Sequence, residues 1–121
     1  MNHVSWTIKC SMQEGKLEEF RSLMNEMSVA TRANEPGCLT YDWYITPDGT
    51  DVHIHERYAD NGATLMHLGN FGEKFADRFF ACVTPTYFVV YGPANDDVRG
   101  ALGPMGPMGA VFLDHFGGFR R

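Results

Sequence analysis

The sequence has few basic residues, and it has no apolar run long enough to cross a bilayer. Its ten Lys and Arg residues are spread along the chain and are outnumbered by fifteen Asp and Glu residues, which gives a formal net charge of −5. Nucleic-acid binding depends on clustered Lys and Arg, so we expect no nucleic-acid partner. A membrane-spanning helix needs about 20 consecutive apolar residues, so we also expect no membrane partner.

Cysteines are few, and the common nucleotide-binding motifs are absent. Cys10, Cys38 and Cys82 are odd in number and lack the spacing of a zinc site, which predicts reduced thiols in a cytoplasmic protein. The first residues lack a basic segment followed by an apolar one, so we expect no secretory signal. The sequence has no phosphate-binding glycine loop, nucleophile elbow or dinucleotide fingerprint, and therefore no local motif indicates a flavin or nicotinamide cofactor.

Hydrophobic periodicity predicts the order of the elements over residues 4–91. Alternation from Val4 to Cys10 predicts a strand, and an apolar stripe from Leu17 predicts a helix that ends near Asn34, before Pro36. The later segments are strands over 39–45 and 52–58 joined by a hairpin turn, a helix over 61–82 interrupted at Gly69 and Gly72, and a strand over 86–91. This order predicts an α+β fold of the ferredoxin-like β-α-β-β-α-β type, with an antiparallel sheet covered by helices on one side.

The chain after residue 92 has a different composition. We expect residues 1–92 to form the domain and residues 93–121 to form a Gly/Pro-rich C-terminal arm. The doubled Gly-Pro-Met run over 103–109 predicts a loop. The apolar residues that follow, among them Phe112, Phe116 and Phe119, favour an arm that packs on its own domain or on a partner subunit. A disordered tail is the alternative.

The second face of the predicted sheet is polar and contains rings and imidazoles. Its residues are Ser5, Thr7, Lys9, Thr40, Asp42, Tyr44, His53, His55 and Arg57. Such a face suits a symmetric contact between the sheets of two copies, and so predicts a homodimer. A solvated face, common in antiparallel sheets, is the alternative.

Glu56 and His67 are the candidate catalytic residues. Glu56 lies on the predicted buried side of its strand, where a carboxylate needs hydrogen-bonding partners. His67 lies one helical turn after Ala63 and can reach the same cleft. A carboxylate–imidazole pair can take a proton from an acidic phenol or quinol. The structural alternatives are a buried acid that fixes the second helix and a core histidine with satisfied hydrogen bonds.

Several aromatic residues are predicted to lie around this cleft. Strand alternation places four rings on the same side as Glu56, and a fifth follows on the helix; the candidate substrate-binding residues are Trp6, Tyr41, Trp43, Tyr58 and Phe71. Together they could line a flat pocket for a small aromatic substrate. Ordinary core packing is the alternative for each ring.

His53 and His55 form a His-x-His pair on one side of a strand, a spacing that can chelate a metal. Glu56 is adjacent in sequence and therefore points to the other face, and no later strand carries a histidine. We therefore favour polar interface residues at these positions and predict no metal site.

Several segments together resemble the antibiotic biosynthesis monooxygenase family, over about residues 4–91. They are Glu35-Pro36-Gly37 at the helix-to-strand turn, His55-Glu56-Arg57-Tyr58-Ala59-Asp60, and Ala63 with His67. The resemblance implies a dimeric α/β barrel formed by two sheets. It also implies a cofactor-independent oxidation of a quinol or polycyclic phenol by molecular oxygen, in which the deprotonated substrate supplies the electrons.

The resemblance also bears on two alternatives. A haem-degrading branch of the family uses a histidine later in the second helix, and residues 72–78 contain none, so the resemblance does not imply haem binding. A non-catalytic small-molecule-binding or interaction module on the same scaffold is the alternative to an enzyme.

Overall fold

A computed structural model describes residues 2–103 and 109–121. Along the chain the elements are β1 (Val4–Met12), α1 (Leu17–Asn34), β2 (Cys38–Ile45), β3 (Asp51–Tyr58), α2 (Asn61–Lys74), α3 (Ala76–Cys82), β4 (Val83–Tyr91), α4 (Asp96–Leu102) and β5 (Val111–Leu113). The strands form one open sheet in the order β2-β3-β1-β4-β5, and every pairing except the parallel β4–β5 pair is antiparallel. The predicted α+β, ferredoxin-like class is confirmed.

The central strand β1 has the period-two pattern that the sequence predicts. Its residues Val4, Trp6, Ile8 and Cys10 are all buried, and the residues between them are half-buried on the other face. The helix α1 buries Phe20, Leu23 and Met27 from its apolar stripe and ends at Asn34, as predicted. One hydrophobic core therefore lies between the helices and a single face of the sheet.

The predicted break of the second helix at Gly69 and Gly72 is wrong. Both glycines lie inside α2, and the break lies at Phe75, whose backbone angles of −129° and −22° leave the helical region. A glycine inside a helix costs about 1 kcal/mol relative to alanine, which packing can offset. The ring of Phe75 is buried in the core, and so the chain bends where that ring turns inward.

The strand β4 begins at Val83, three residues before the predicted start. Pro85 lies inside it, opposite Cys10, where the pairing with β1 shifts register. Proline has no N–H group to donate to a ladder and is tolerated at such irregularities. Pro85 therefore lies at an irregularity inside β4 and does not prevent the strand from starting at Val83.

The tail contains a helix and a strand that the sequence pattern did not predict. Asn95 caps α4 by accepting a hydrogen bond from the Val98 N–H at 2.9 Å, and Val98 and Leu102 are buried. The guanidinium of Arg99 lies 4.5 Å from the centre of the Phe112 ring in β5. The predicted Gly-Pro-Met loop falls mainly on residues 104–108, outside the described part of the chain. The division into two regions at residue 92 stays a prediction.

No helix in the described residues is both long enough and apolar enough to cross a membrane.

Candidate active site

Strand pairing places three inward-facing residues side by side. Glu56 in β3 lies opposite Trp6 in β1 and opposite Tyr41 in β2. Residues directly opposite each other on neighbouring strands point to the same face of a sheet. The register of the sheet therefore fixes a carboxylate between an indole and a phenol, under the layer of helices.

The start of α2 places His67 over this row. Asp60 caps the helix by accepting a hydrogen bond from the Ala63 N–H at 2.8 Å. Ala63 is packed tightly against Gly37 in the turn after α1, where an added Cβ would lie 2.5 Å from the Ala63 Cβ. His67 lies one turn further along the same face of α2, so the close contact at Ala63 brings the imidazole down to the sheet.

His67 is held between two carboxylates. Its Nδ1 lies 2.9 Å from Oε1 of Glu35, and its Nε2 lies 3.2 Å from Oε1 of Glu56. The other oxygen of Glu35 accepts a hydrogen bond from the Asn70 amide at 3.2 Å. All three members of the Glu35–His67–Glu56 triad are buried, with 5%, 5% and 8% of their surfaces exposed.

The two carboxylates keep the imidazole charged. Burial alone would lower the pKa of His67, but the hydrogen bonds and negative charges of Glu35 and Glu56 outweigh it and raise that pKa to about 9. Burial raises the pKa of Glu35, and the bonds from His67 and Asn70 reverse this effect and leave it below its ordinary value. At neutral pH His67 is therefore an imidazolium that donates from both ring nitrogens.

Tyr58 stabilises Glu56 through a hydrogen bond. Its hydroxyl donates to Oε1 of Glu56 at 2.6 Å, and the residue is fully buried. Burial, followed by the charge of Glu56, raises the pKa of Tyr58 well above its ordinary value, so the phenol remains a donor. Tyr58 does not line the cavity described next, and its contact with the site is the hydrogen bond to Glu56.

Glu56 and His67 of the triad line a small cavity of about 40 Å³. The cavity is lined by Trp6, Ile8, Met27, Tyr41, Trp43, Ile54, Glu56, His67, Leu68, Phe71, Phe79, Phe88 and Leu102. Four of the five predicted substrate-binding rings, and both predicted catalytic residues, belong to this wall. Their roles stay predictions. A space of this size holds a few water molecules, or one molecule as small as dioxygen.

Trp43 separates this cavity from a second one of about 70 Å³ that lies against α1. The indole Nε1 of Trp43 is buried, and it has no hydrogen-bond partner among the described residues. Buried donors normally have partners, so the wall carries one unsatisfied N–H group in apolar surroundings.

The residues of this site that the sequence pattern did not predict include Glu35, Asn70 and Leu102. Glu35 was singled out only as part of the turn, although the small residues Gly37 and Ala63 signal a close approach that brings that turn to α2. Asn70 lies three positions after His67, on the same helical face. Leu102 lines the cavity from α4, and no periodicity in the tail indicated that helix.

His53 and His55 lie on the other face of the sheet, away from the triad. The ring of His55 packs against Tyr44 with centroids 5.4 Å apart. The described residues contain no group of three or more His, Cys, Asp or Glu side chains arranged to hold a metal ion.

Comparison with known proteins gives both sequence and structural relatives. The family model for antibiotic biosynthesis monooxygenase matches residues 4–75, more than half of the chain. The putative monooxygenase Rv0793 of Mycobacterium tuberculosis is 40% identical over 50 residues, which cover 41% of this chain and 48% of that protein. The chain thus spans about half the length of this curated relative.

Three solved structures share the fold. MupZ from Pseudomonas fluorescens is 27% identical, with a TM-score of 0.83 over 100% of this chain and 96% of that one. Rv0793 is 25% identical, with a TM-score of 0.66 over 78% and 98% of the two chains. SnoaB, a cofactor-independent oxygenase from Streptomyces nogalater, is similar in fold alone, at 18% identity and a TM-score of 0.65 over 78% and 96%. The match over residues 4–75 shows that this chain belongs to the antibiotic biosynthesis monooxygenase family.

Proposed function

We propose that the protein is a cofactor-independent monooxygenase that acts on a quinol or a polycyclic phenol. The observation that carries the proposal is the buried Glu35–His67–Glu56 triad, of which Glu56 and His67 belong to the wall of a ring-lined cavity. The family to which the chain belongs, and the oxygenase names of Rv0793 and SnoaB, support the same reaction class.

Glu56 is the base in this proposal. A charged imidazole has no free lone pair, so His67 cannot take the proton of the substrate at neutral pH. Both contacts that Glu56 makes with Tyr58 and His67 end on Oε1. The second oxygen, Oε2, is then the atom that accepts the phenolic proton.

His67 stabilises the negative charge that follows proton transfer. The phenolate gives one electron to dioxygen, and the resulting radical and superoxide combine in a carbon–oxygen bond. The peroxide then takes a proton and loses water, so that the ring CH₂ carbon of an anthrone, or the ring CH carbon next to the phenolic carbon of a naphthohydroquinone, becomes a carbonyl. A fixed cation in a water-poor site favours each anionic species along this path, because it needs no reorganisation.

Substrate binding requires the cavity to enlarge. Its present volume of about 40 Å³ suits dioxygen but is too small for a bicyclic ring. Trp43 is the common wall of this cavity and the neighbouring one of about 70 Å³. In this proposal Trp43 rotates, joins the two spaces and presents its unpaired N–H group to an oxygen of the substrate.

The test is oxygen uptake by the purified protein with naphthohydroquinone or anthrone, together with incorporation of isotopically labelled oxygen gas into the product. We expect labelled quinone from the wild-type protein, and a loss of about 100-fold or more in rate for Glu56→Gln. The control is Glu73→Gln, the same chemical change at an exposed position of α2. Unlabelled product, or equal rates in both variants, would contradict the proposal.

A homodimer is the proposed assembly. The open face of the sheet exposes Tyr44, Tyr87 and Tyr91 by 37–55% of their surfaces, and aromatic residues are enriched at protein interfaces. A second copy would cover these rings by packing sheet on sheet. Sedimentation equilibrium should give twice the chain mass, and a monomer at micromolar concentration would exclude this assembly.

A non-catalytic binding module is the second candidate, favoured by the apolar wall of the cavity. It predicts that the same quinols raise the melting temperature without any oxygen uptake. The two candidates are therefore distinguished by one pair of measurements on the same samples.

A further inference from the structure

A row of spaces lies between α1 and β2, on the helical side of the sheet. The cavity of about 40 Å³ shares Trp43 with the space of about 70 Å³ on one side, and it shares Tyr41 with a hollow of about 410 Å³ on the other. The residues that line this hollow are Ser28, Thr31, Arg32, Cys38, Leu39 and Tyr41. None of them belongs to the open face of the sheet that we assign to the homodimer contact.

The order of the three spaces follows from the strand and the helix that line them. Tyr41 and Trp43 lie two positions apart on the same face of β2. Along α1, Arg21 lines the space of about 70 Å³, Met27 the central cavity and Arg32 the hollow. The two arginines are about 16 Å apart along the helix axis, so each end of the row has one guanidinium group.

Tyr41 lies between the triad and the hollow. The centre of its ring is 5.4 Å from that of His67, with the two planes nearly perpendicular at 72°. Burial, followed by the charge of Glu56, raises the pKa of Tyr41, and a hydrogen bond from Thr31 in α1 opposes the rise. A ligand that fills both the cavity and the hollow must therefore pass beside this one phenol ring.

The wall of the hollow is part apolar and part polar. Leu39 is 50% exposed and supplies apolar surface next to Tyr41. Ser28 is half-buried, and its hydroxyl makes only a weak contact with the sulfur of Met24, at 3.9 Å. Arg32 supplies the guanidinium group. The wall thus suits a short alkyl chain that ends in a hydrogen-bond acceptor.

The two arginines differ in their partners. Nε of Arg21 lies 3.4 Å from Oε2 of Glu18, one turn earlier in α1. None of the ion pairs in the described part of the chain includes Arg32, and the described wall of the hollow contains no Asp or Glu. A cation without a counter-charge therefore lies at the hollow, and this end of the row favours a negative group.

We propose that the hollow binds an acidic side chain of the substrate, and that the preferred substrate is an aromatic ring that carries a short alkyl chain ending in a carboxylate. The ring lies in the cavity beside Trp43 and the triad, the chain passes Tyr41 along Leu39, and the carboxylate accepts hydrogen bonds from Arg32. The planar guanidinium group suits a carboxylate because it donates two parallel N–H bonds. The placement of the ring rests on the proposed function.

The test is calorimetric titration of the full-length protein with 3-(2-naphthyl)propanoic acid and, separately, with its amide. Neither compound is a quinol, so binding is measured without any reaction. We expect the wild type to bind the acid about tenfold more tightly than the amide. Arg32→Gln should remove this preference. Arg21→Gln is the matched control, because it makes the same change at the other end of the row and should keep the preference.

Three results would overturn the proposal. One is equal affinity of the wild type for the acid and the amide. Another is a preference for the acid in Arg32→Gln that is as large as in the wild type. The third is loss of the preference in Arg21→Gln, which would place the carboxylate at the wrong end of the row. Both arginines are exposed, so the two variants should fold as the wild type does.

Failure of this inference is distinct from failure of the proposed reaction. Oxygen uptake with naphthohydroquinone, together with equal binding of the acid and the amide, would overturn the carboxylate site alone. An Arg32-dependent preference for the acid, without oxygen uptake from any quinol, would support the carboxylate site and contradict the oxygenase reaction.

Discussion

Oε1 of Glu35 lies 2.9 Å from Nδ1 of His67, although 32 positions separate the two residues. This bond fixes the orientation of the imidazole ring, because the other ring nitrogen then faces Glu56 at 3.2 Å. The C-cap residue of α1, Glu35, therefore decides which nitrogen of His67 faces the cavity. Glu35 is a positioning residue in the proposed mechanism, and Glu56 is the residue that takes the proton of the substrate.

The stability of the fold should decrease between pH 6.5 and about 9. The pKa of His67 is raised from 6.5 to about 9 in the folded chain, so its contribution is fully present below the lower value and is lost as pH rises through the higher one. The loss is about 3 kcal/mol, at 1.36 kcal/mol per pKa unit. Urea unfolding across this range measures it.

The same experiment on His67→Gln supplies the control. Without the imidazole the free energy of unfolding should vary much less over this pH range. A wild-type profile that is as flat as that of the variant would show that the triad does not hold a proton on His67. Below pH 4.5 the contribution of Glu35 should be lost, because its pKa is lowered in the folded state.

Removal of the imidazole should leave two buried carboxylates without their cation. We expect His67→Gln to lower the free energy of unfolding at pH 6 by about 3 kcal/mol, as for other broken buried ion pairs. The double variant with Glu35→Gln should lose less than the sum of the two single variants, with a coupling of about 1 kcal/mol or more. Denaturant unfolding of the wild type, the two single variants and the double variant completes a double-mutant cycle and measures this coupling.

His53→Gln is the matched control for that cycle, since His53 lies on the opposite face of the sheet. It should change stability by less than about 0.5 kcal/mol. Strict additivity of the Glu35 and His67 variants would mean that the two side chains do not interact in solution.

The Tyr58→Phe variant tests whether the hydroxyl of Tyr58 stabilises Glu56. The variant removes only the hydroxyl that donates to Oε1 of Glu56 at 2.6 Å. A hydrogen bond to a charged group contributes about 1.5–3 kcal/mol, so we expect a loss of that size in urea unfolding. Tyr44→Phe, at a ring that is 55% exposed, should change stability by less than about 0.5 kcal/mol. Equal losses of stability in the two variants would show that the Tyr58 hydroxyl does not stabilise Glu56.

Gly37→Ala should displace α2 from the turn after α1. The new Cβ would lie 2.5 Å from the Ala63 Cβ, and overpacking of this kind costs about 1–3 kcal/mol. The companion change Ala63→Gly should restore part of the loss by removing the clashing atom. Thermal unfolding of the single and double variants measures both effects, and no recovery in the double variant would contradict the contact.

Gly72→Ala is the control substitution in α2 itself. An added Cβ at this position meets no atom within 4 Å, so only the gain in helix propensity remains. We expect stabilisation of about 0.5–1 kcal/mol. A loss of stability here would mean that α2 needs flexibility at this glycine.

Local pattern was sufficient to place Glu56. Alternation along β3 buries Val52, Ile54, Glu56 and Tyr58 on one face, and this period of two is a property of any extended chain. The same reasoning placed Trp6 and Tyr41 beside it, because their strands pair with β3. His67 followed from the helical spacing after Ala63.

Local pattern could not place Glu35 or Leu102. Glu35 is the C-cap of α1, where backbone angles of −128° and 78° depart from the helix, and no periodicity predicts where its side chain points. Leu102 reaches the cavity because α4 packs on the domain and β5 pairs with β4. Both positions depend on contacts between segments that are far apart in the chain.

The sequence by itself determined the order of the elements over residues 4–91, the inward face of the four strands in that range and the two residues proposed for catalysis. These features depend on the spacing of apolar residues over a few positions, which the chain carries locally. Only the tertiary structure decided the partners of His67, and with them its charge at neutral pH. The pKa of a buried group is set by the neighbours that folding brings to it. For His67 one of these neighbours is Glu35, which lies at the C-terminal end of α1.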